Sequence, residues 1–407
     1  MKKSTLLLLV LCLSATSVFS GGYQVRLQGH RQTGMGLVGV SLFGDASSIF
    51  YNPGAMSKMN NKFSFLVGGS TIFSNTTFAI ENSDYQAKTD NPMGTPFFFY
   101  GAAKISEKFS LGLGVYTPYG SSANWGDDWA GRNLIQDISM KVIFFQPTLG
   151  YKFNDKLSIG AGFVYATGDV ELNKAVSYNS PTVTGQAHLK GSTTNYGFNA
   201  GILYTPNDAW TVGIDYRSEV TMALSEGDAT FTVPSSFSSF IPATNKFDAD
   251  LPLPANLDFG FAYRESEKFI FSVEFNYVFW ATYDTLKFTF QQSPDILNSS
   301  NPRLYTNRLI TRIGGEYMIN KLITVRAGAY YDPSPTNKDY FNPETPSLDT
   351  YGMSFGLTIN PTKNFAIDLS YLHLETQEAT KSYTPEAFTG NYKVRTMIPG
   401  IGLSFNF

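Results

Sequence analysis

The chain has 407 residues, of which 43% are hydrophobic, 15% aromatic and only 15% charged, and its formal net charge is −3. Soluble proteins carry roughly 25% charged residues, so this composition argues against a highly charged or disordered chain. A negative balance without any run of Lys and Arg excludes a nucleic-acid partner on electrostatic grounds. Beyond the N-terminus no apolar run approaches the ~20 residues of a spanning helix, which excludes a helical membrane protein.

The N-terminus predicts export from the cytoplasm. Lysines at positions 2 and 3 precede the apolar stretch Leu6 to Leu13, and small residues follow up to Ser20. This is the pattern of a secretory signal peptide, so we expect residues 1–20 to be removed by cleavage after Ser20. Cys12, the single cysteine of the sequence, lies within that segment, which leaves the mature chain without cysteine.

From residue 62 onward, large apolar residues recur at every second position in short segments that end in turn residues. In the segment that begins at Trp210, for example, Val212 and Ile214 alternate with small or charged residues. Period two is typical of strands with one apolar face. Such segments number fourteen, namely 62–73, 95–105, 109–118, 138–152, 157–170, 192–205, 210–223, 252–264, 268–290, 305–319, 322–332, 349–360, 365–376 and 391–407.

The connections between these segments alternate strictly between long and short. The short ones are 106–108, 153–156, 206–208, 265–267, 320–321 and 361–363, and the long ones are 74–94, 119–137, 171–191, 224–251, 291–304, 333–348 and 377–390. Outer-membrane barrels have long external loops and short periplasmic turns, and their closure satisfies every backbone hydrogen bond in lipid. The sequence therefore predicts an all-β fold, a 14-stranded antiparallel transmembrane β-barrel over 62–407 with both termini periplasmic. The alternative is a secreted β-sandwich array, which has no reason to sort its loops by side.

Residues 21–61 do not alternate and are rich in glycine. Asp45 is placed to cap a short helix, and Pro53 is placed to end it. The segment contains apolar side chains, among them Phe50 and Tyr51, that a free tail would expose to water. We predict a small N-terminal hatch that plugs the lumen. The alternative is a tail that hangs free in the periplasm.

Gly34 to Gly39 also match G-x-G-x-x-G, the dinucleotide-binding fingerprint. That fingerprint requires a preceding strand, a following helix and an acidic residue about twenty positions on, and this context is missing. The glycines are better explained by tight turns and close packing inside a narrow lumen.

Residues 34–36 (GMG) and 45–53 (DASSIFYNP) resemble the N-terminal hatch of the FadL-type long-chain fatty-acid transporters of Gram-negative outer membranes. Further blocks resemble the family in family order, namely 112–120 (GLGVYTPYG), 125–132 (WGDDWAGR), 216–220 (YRSEV), 251–254 (LPLP), 326–328 (RAG) and 332–335 (DPSP). The resemblance covers essentially the whole mature chain. It implies fourteen strands, a plug and the uptake of hydrophobic molecules. We do not expect a cofactor.

Two places in the resemblance concern the transport path. The family's hatch signature is Asn-Pro-Ala, whereas this chain has Asn52, Pro53 and Gly54, and we expect glycine to keep the turn but loosen it. The family's third strand carries a kink that opens the wall toward lipid, and its glycine matches Gly120, after Pro118 and Tyr119. Proline without an N–H and glycine without a side chain can interrupt strand pairing on physical grounds. The alternative is the ordinary start of a loop.

A transporter of apolar molecules must collect them from water, so its external loops should carry apolar side chains. The predicted loop 119–137 contains Trp125 and Trp129, and the predicted loop 224–251 contains Phe237, Phe240 and Ile241. We expect a ligand to be captured between these two loops. The alternative is that these side chains only pack the loops against one another, as in a compact Ω-loop.

In the ninth segment the apolar residues move from odd positions up to Phe279 to even positions from Leu286, which predicts a bulge near Trp280. This change of phase would turn Lys287 inward near the external end. The resemblance implies that a lysine at this place contacts the fatty-acid head group, and the alternative is an exposed lysine at the rim. The family's second basic contact, an arginine on the fifth strand, has no match at 165–168, so the substrate could be neutral.

Charged residues of both signs lie opposite the apolar face of the strands, and we expect most of them to pair as structural tethers to the hatch. They are Asp215, Arg217, Asp258, Arg264, Glu274, Arg312, Glu316, Arg326 and Asp368. The chain has three histidines, at positions 30, 188 and 373. None lies in a sequence pattern typical of a catalytic triad or of metal ligands, so we do not expect an enzyme.

The leading hypothesis is a passive outer-membrane transporter for long-chain fatty acids or similar apolar compounds, with lateral exit beside Gly120. A porin for small polar solutes and a structural or adhesive barrel are the alternatives. Outer-membrane lipids would surround the barrel. The last residues alternate to a terminal Phe407, an ending typical of outer-membrane barrels that implies recognition by the barrel-assembly machinery.

Overall fold

Antiparallel strands dominate the computed structural model, which describes residues 22–59, 61–177 and 184–407. The predicted signal peptide, residues 1–20, lies outside the described residues. Within those ranges no helix has the length and apolar character needed to cross a membrane.

The described strands in chain order are β1 Phe63–Ser70, β2 Phe73–Ala79, β3 Gln86–Lys88, β4 Phe97–Lys104, β5 Phe109–Asn124, β6 Asp137–Lys152, β7 Leu157–Ser177, β8 Thr184–Tyr204, β9 Trp210–Arg217, β10 Val220–Thr232, β11 Thr244–Leu253, β12 Asn256–Arg264, β13 Phe269–Val278, β14 Thr285–Phe290, β15 Ser299–Pro302, β16 Arg308–Met318, β17 Ile323–Asp332, β18 Thr350–Ile359, β19 Phe365–Glu375, β20 Ala379–Tyr383 and β21 Phe388–Asn406. The α-helices are α1 His30–Gly34, α2 Ser48–Tyr51 and α3 Pro294–Leu297, and 3-10 helices span Pro53–Lys58, Trp280–Thr282 and Thr384–Glu386.

Fourteen of these strands form a closed ring, which confirms the predicted antiparallel barrel. The ring runs through β1, β4, β5, β6, β7, β8, β9, β12, β13, β16, β17, β18, β19 and β21. It closes where β21 pairs with β1, with Ser64 opposite Asn406. A closed ring leaves no exposed strand edge, which is the condition for a sheet to span lipid.

Six tight turns join strands at one end of the ring, in the six places that the sequence predicts. Each contains an Asn, Ser or Thr that accepts hydrogen bonds from the backbone N–H groups two or three residues later. Asn154, for example, accepts from Lys156 at 2.8 Å and from Leu157 at 2.9 Å. The equivalent residues are Ser106, Asn207, Ser266, Asn320 and Thr362. Because these bonds are local, the local sequence is enough to fix each turn.

The opposite end differs from the prediction, because much of the predicted loop sequence continues as strand. β7 runs to Ser177 and β8 starts at Thr184, and β10 and β11 fill most of 224–251. β5 likewise continues to Asn124, where the sequence predicts a loop from residue 119. We call this end the canopy and the rest of the ring the lower barrel. The canopy comprises residues 73–90, 124–138, 170–177, 184–190, 220–253, 280–305, 333–349 and 376–394.

The two parts of the ring have opposite polarity. On the lower barrel Phe271 and Ile313 point outward and are 43% and 44% exposed, while Glu274 points inward and is buried. In the canopy the large apolar side chains are buried inside, for example Phe247 and Phe290. Lipid surrounds the lower barrel and water surrounds the canopy, which accounts for the reversal.

Residues 22–59 lie inside the ring and contact walls on opposite sides. Helix α1 packs against β17, β18 and β19, and the 3-10 helix Pro53–Lys58 packs against β6, β7 and β8. The predicted short helix exists as α2, but Pro53 starts the following 3-10 helix instead of ending the chain's helical stretch. Asp45 accepts a hydrogen bond from the backbone of Ser47 at 2.9 Å, so it braces the turn before α2.

Glycines on the inner face of the wall make room for this segment. A Cβ added at Gly201 would lie 2.1 Å from Oδ1 of Asn52, and one at Gly314 would lie 2.0 Å from the carbonyl oxygen of Met35. Gly34 likewise faces the backbone of Gly356, where an added Cβ would be 2.7 Å away. Glycines of the G-x-G-x-x-G segment therefore pack closely against the barrel wall, as the sequence analysis expected.

Candidate functional site

The turn at Asn52, Pro53 and Gly54 connects the internal segment to the barrel wall. The fully buried Asn52 amide donates to the carbonyl of Val40 at 2.8 Å and to that of Ile202 at 3.0 Å, and its Oδ1 accepts from the Gly54 N–H. A Cβ at Gly54 would lie 2.8 Å from the Gly201 carbonyl oxygen. The sequence analysis expected Gly54 to loosen this turn. The structure shows instead that glycine lets the turn pack closely against the barrel wall.

Buried ion pairs hold the internal segment. Arg26 binds Asp258 at 3.0 Å and Glu274 at 2.5 Å, and all three side chains are almost fully buried. The other oxygen of Glu274 accepts from the N–H groups of Gly39 and Val40 at 2.6 and 2.8 Å. These contacts have the tethering role that the sequence analysis expected for the inward charges.

A second set of charges, on the neighbouring strands β9, β16 and β17, binds the segment. Arg31 donates to Glu316 at 2.9 Å through two nitrogens, and Arg326 donates to the same carboxylate at 2.6 Å. Arg217 donates to the carbonyl of Phe50 at 2.8 Å. Arg264 lies over the ring of Phe43 at 4.2 Å. Six of the nine predicted tether residues thus contact the internal segment or a residue that binds it directly, namely Asp258, Glu274, Glu316, Arg326, Arg217 and Arg264.

The wall is irregular at Thr117 and Pro118, as the sequence predicts for Pro118. The register between β5 and β6 shifts between Tyr116 and Tyr119, because one extra residue is placed on β5. Gly120 itself pairs with Lys141, and a Cβ there would meet only the Met140 carbonyl oxygen at 3.3 Å. The break in the wall therefore arises at the bulge before Tyr119. Gly120 has no side chain, so nothing covers the outer surface of the wall beside this bulge.

Backbone pairing is missing on the other edge of β5. β4 pairs with β5 up to Tyr116, and across this seam the next backbone bond runs from Asp90 to the carbonyl of Asn124 at 2.8 Å. Between these points β5 pairs with the internal segment: Val25 donates to Pro118 at 2.7 Å and Gly120 donates to Tyr23 at 3.0 Å. Residues 23–25 therefore close from inside a gap between 91–96 and 118–123.

Two cavities lie above the internal segment. The side cavity encloses about 1860 Å³ between atoms, including space open to solvent, and its lining includes Arg26, Leu37 and both borders of the wall gap, 91–96 and 119–122. The upper cavity encloses about 850 Å³ on the same measure and lies under the canopy. Ser121, Met140 and Thr345 line both cavities, so the two spaces adjoin.

The upper cavity has an almost entirely apolar wall. Its apolar side chains come from β6, β7, β8, β10, β11 and β14, and they are Ile138, Met140, Val142, Val170, Leu172, Leu189, Met222, Leu224, Phe247, Ala249, Leu251, Leu286 and Phe288. Apolar pockets with a few polar groups at one end are typical binding sites for small hydrophobic ligands. The sequence analysis missed these residues, because it assigned most of them to loops or to the lipid-facing surface.

The predicted capture residues divide into packed and exposed ones. Trp125 and Trp129 are buried and stacked at 4.3 Å, and their indole N–H groups donate to carbonyls of Pro343 and Ile135. They therefore pack the canopy, as the alternative interpretation holds. Ile241 is also buried, Phe237 is partly buried and Phe240 is 59% exposed.

Lys287 is exposed, and the predicted inward direction is wrong. The predicted bulge near Trp280 is a 3-10 helix, Trp280–Thr282, and even positions remain inward on both sides of it. Leu286 and Phe288 line the upper cavity, so Lys287 between them points away. The apolar residues of β14 were assigned to lipid, but β14 lies in the canopy, where the apolar side is the inside.

The polar end of the upper cavity contains residues that no sequence pattern marked. Glu344 lines the cavity and accepts from the buried guanidinium of Arg303 at 2.6 Å, and Tyr283 and Thr345 lie beside it. Burial by itself would lower the pKa of Arg303, but the adjacent Glu344 carboxylate raises it, so the guanidinium stays charged. Burial raises the pKa of Tyr283, which keeps its hydroxyl neutral.

The described residues contain no group of three or more His, Cys, Asp or Glu side chains that could hold a metal ion. The three histidines lie apart. His30 is buried against Ser370 in the lumen, whereas His188 pairs with Glu171 and His373 with Glu375 near the outer surface.

Comparison with known proteins gives one consistent result. A family model described as outer membrane protein transport protein (OMPP1/FadL/TodX) matches residues 11–407. The long-chain fatty acid transport protein of Escherichia coli K12 is 24% identical over 441 aligned positions, which cover 98% of this chain and 97% of that protein.

Solved structures of the same group share the fold. A FadL homologue of Pseudomonas aeruginosa superposes with a TM-score of 0.85 at 18% identity, covering 95% of this chain and 100% of the other. The toluene transporter TbuX of Ralstonia pickettii gives a TM-score of 0.74 at 16% identity, with 93% and 98% coverage.

Proposed function

We propose a route by which this chain transports its ligand, starting from the fact that the chain belongs to the FadL/TodX family of outer-membrane transport proteins for hydrophobic compounds. A hydrophobic molecule is taken up passively through the upper cavity and then the side cavity, and it leaves through the gap in the wall. The observation that carries this proposal is the contact between the two cavities at Ser121, Met140 and Thr345, together with the unpaired wall beside the second one.

Capture from water would use the apolar rim of the canopy. Phe240 is exposed and Phe237 partly exposed on the loop between β10 and β11, and the cavity below is lined by the inner side chains of those strands. Moving an apolar ligand from the rim into the cavity buries more of its surface, which favours the inward step. Relatives named long-chain fatty acid transport protein and toluene transporter support an apolar ligand.

The internal segment would act as the hatch of residues 21–61. It fills the lower lumen, and the ion pairs of Arg26 and Arg31 fasten it to the wall. A ligand in the side cavity then meets this segment below and residues 23–25 beside it. Release of the short pairing between 23–25 and 118–120 would open the gap toward lipid. A filled lumen also argues against the porin alternative.

The route is tested by obstructing the gap from outside with Gly120→Leu. An added Cβ meets only one atom, at 3.3 Å, so the barrel should assemble, but the larger side chain would lie over the gap. We expect the uptake of radiolabelled toluene or a radiolabelled fatty acid by intact cells to fall several-fold.

Gly315→Leu is the matched control for this experiment. Gly315 lies on the wall away from the gap, and the nearest atom to an added Cβ is 3.8 Å away. Its uptake should equal that of the unaltered protein at equal surface amounts. Normal uptake by Gly120→Leu would disprove the lateral route, and equal uptake with and without the protein would disprove transport itself.

A further inference from the structure

The charges at the upper cavity are all of one sign. Its acidic lining residues are Asp169, Asp250 and Glu344, and none of the described residues that line it is Lys, Arg or His. Asp169 and Asp250 have exposed side chains on the strands of the wall, whereas Glu344 is buried. Glu344 is therefore the charge that a bound ligand would meet at the polar end.

Two cations lie near that end, and neither lines the cavity: Arg303, which is paired with Glu344, and Lys174 on β7, which Glu344 also attracts. Arg303 is 1% exposed, and its guanidinium donates to Glu344 at 2.6 Å and to the hydroxyl of Tyr383 at 3.4 Å. A cation that is paired in this way offers little net attraction to a second anion. Lys287, which lies on the strand above the cavity, is exposed on its outer side.

A carboxylate ligand would lose hydration in this cavity without gaining a partner. Burial of an ionised carboxylate is costly unless a cation or several hydrogen-bond donors compensate it. Here the apolar walls give no compensation, and the polar group that lines the cavity, the Glu344 carboxylate, has no hydrogen to donate to a second carboxylate. A neutral molecule of the same size bears neither cost, and its apolar surface gains from burial in the same way.

We propose that the upper cavity selects neutral apolar molecules, such as hydrocarbons and alcohols, and that Glu344 is the residue that excludes carboxylates. The inference rests on the proposed function, since it specifies which ligands the transport cavity takes. It assigns to the Arg303–Glu344 pair a role in selectivity in addition to its structural contact. An alcohol can also donate its hydroxyl hydrogen to the Glu344 carboxylate, which a carboxylate ligand cannot do.

Removal of the carboxylate should reverse this preference. In Glu344→Gln the glutamine keeps the size of the side chain, but the Arg303 charge is left without its anion. A ligand carboxylate at the same place would then take the position of the lost one. The variant should therefore gain affinity for carboxylates while its affinity for neutral ligands stays close to that of the unaltered protein.

The experiment compares octanol with octanoate, which have equal chain lengths, on the full chain in detergent at mildly alkaline pH. Each ligand displaces the neutral fluorescent hydrocarbon diphenylhexatriene from the protein. We expect octanol to displace the probe and octanoate to be weaker by about 10- to 100-fold, the range of one hydrogen bond to a charged group. In Glu344→Gln that difference should shrink at least several-fold.

Two further variants complete the test. Glu378→Gln removes one negative charge from an exposed canopy position and should leave the preference unchanged. The double change Arg303→Gln with Glu344→Gln should lose the gain for octanoate.

The outcomes separate the two proposals. Equal displacement by octanol and octanoate from the unaltered protein, or an unchanged preference in Glu344→Gln with normal octanol affinity, would overturn the selectivity. Failure of the unaltered protein to bind the probe or octanol would instead contradict the proposed function. If Glu344→Gln no longer binds octanol, the double variant Arg303→Gln with Glu344→Gln decides. Octanol binding by the double variant without increased octanoate binding supports the proposal. Equal binding of octanol and octanoate by the double variant contradicts it.

Discussion

Several strands, among them β7, run from the lower barrel into the canopy, yet the two parts are built with opposite polarity. Along β7, Phe163 points outward on the lower barrel and is 53% exposed, whereas Leu172 points inward in the canopy and is buried. The change follows the surroundings, since lipid faces the first residue and water the second. Alternation along a strand thus identifies an apolar face, but only the medium outside decides whether that face points in or out.

The reversal also divides the interior into two kinds of space. The lower interior contains buried charges and is filled by residues 22–59, whose ion pairs and backbone bonds satisfy those charges. The upper interior is apolar and leaves cavities open. A polar lumen needs a partner for each buried charge, whereas an apolar one can be left for a ligand. The contrast explains why the fixed segment lies below and the proposed binding space above.

The largest expected effect comes from breaking the polar interior. Arg26→Met would leave Asp258 and Glu274 buried without their cation, so we expect the free energy of unfolding to fall by about 3–5 kcal/mol. Urea unfolding of the refolded protein in lipid vesicles measures it. Arg132→Met is the canopy control, since its ion pair with Asp128 is exposed and should contribute about 0–1 kcal/mol. Equal losses in both variants would show that the two regions do not differ in this respect.

A second pair of variants compares the two outer surfaces directly. Ile313 on the lower barrel and Phe240 in the canopy are both exposed, at 44% and 59%. Ile313→Arg places a charge in the lipid belt, and we expect a loss of about 2–4 kcal/mol in unfolding free energy. Phe240→Arg faces water and should change it by no more than about 0.5 kcal/mol. The same vesicle measurement applies, and a small loss at Ile313 would mean that this face does not meet lipid.

The smallest effect tests the seat of the internal segment on the wall. Gly54→Ala introduces the alanine of the family signature, but its Cβ would lie 2.8 Å from the Gly201 carbonyl oxygen. We expect a loss of about 1–3 kcal/mol, as for other overpacked sites. Gly315→Ala has open space around its Cβ and should change the unfolding free energy by at most about 0.5 kcal/mol. A neutral result at Gly54 would show that the 3-10 helix shifts without cost.

The candidate site was predictable only in part. Pro118 marked the irregular wall because a proline without an N–H cannot donate to a neighbouring strand, and Asn52 and Pro53 marked a turn through local chemistry. Lys287, in contrast, was assigned the wrong direction, and Trp125 and Trp129 pack against other canopy residues. Glu344 and Arg303 lie 41 positions apart, and neither stands in a pattern that indicates the pair.

Sequence alone determined the fourteen strands, the six tight turns and the order of long and short connections, because each depends on interactions between residues close in the chain. Only the tertiary structure decided that the apolar face of the canopy strands points inward. It also decided how residues 23–25 replace a strand at the wall gap and which charged residues meet at the cavities. These features depend on the medium around each part of the ring and on contacts between distant segments. Neither is encoded in the periodicity of a single strand.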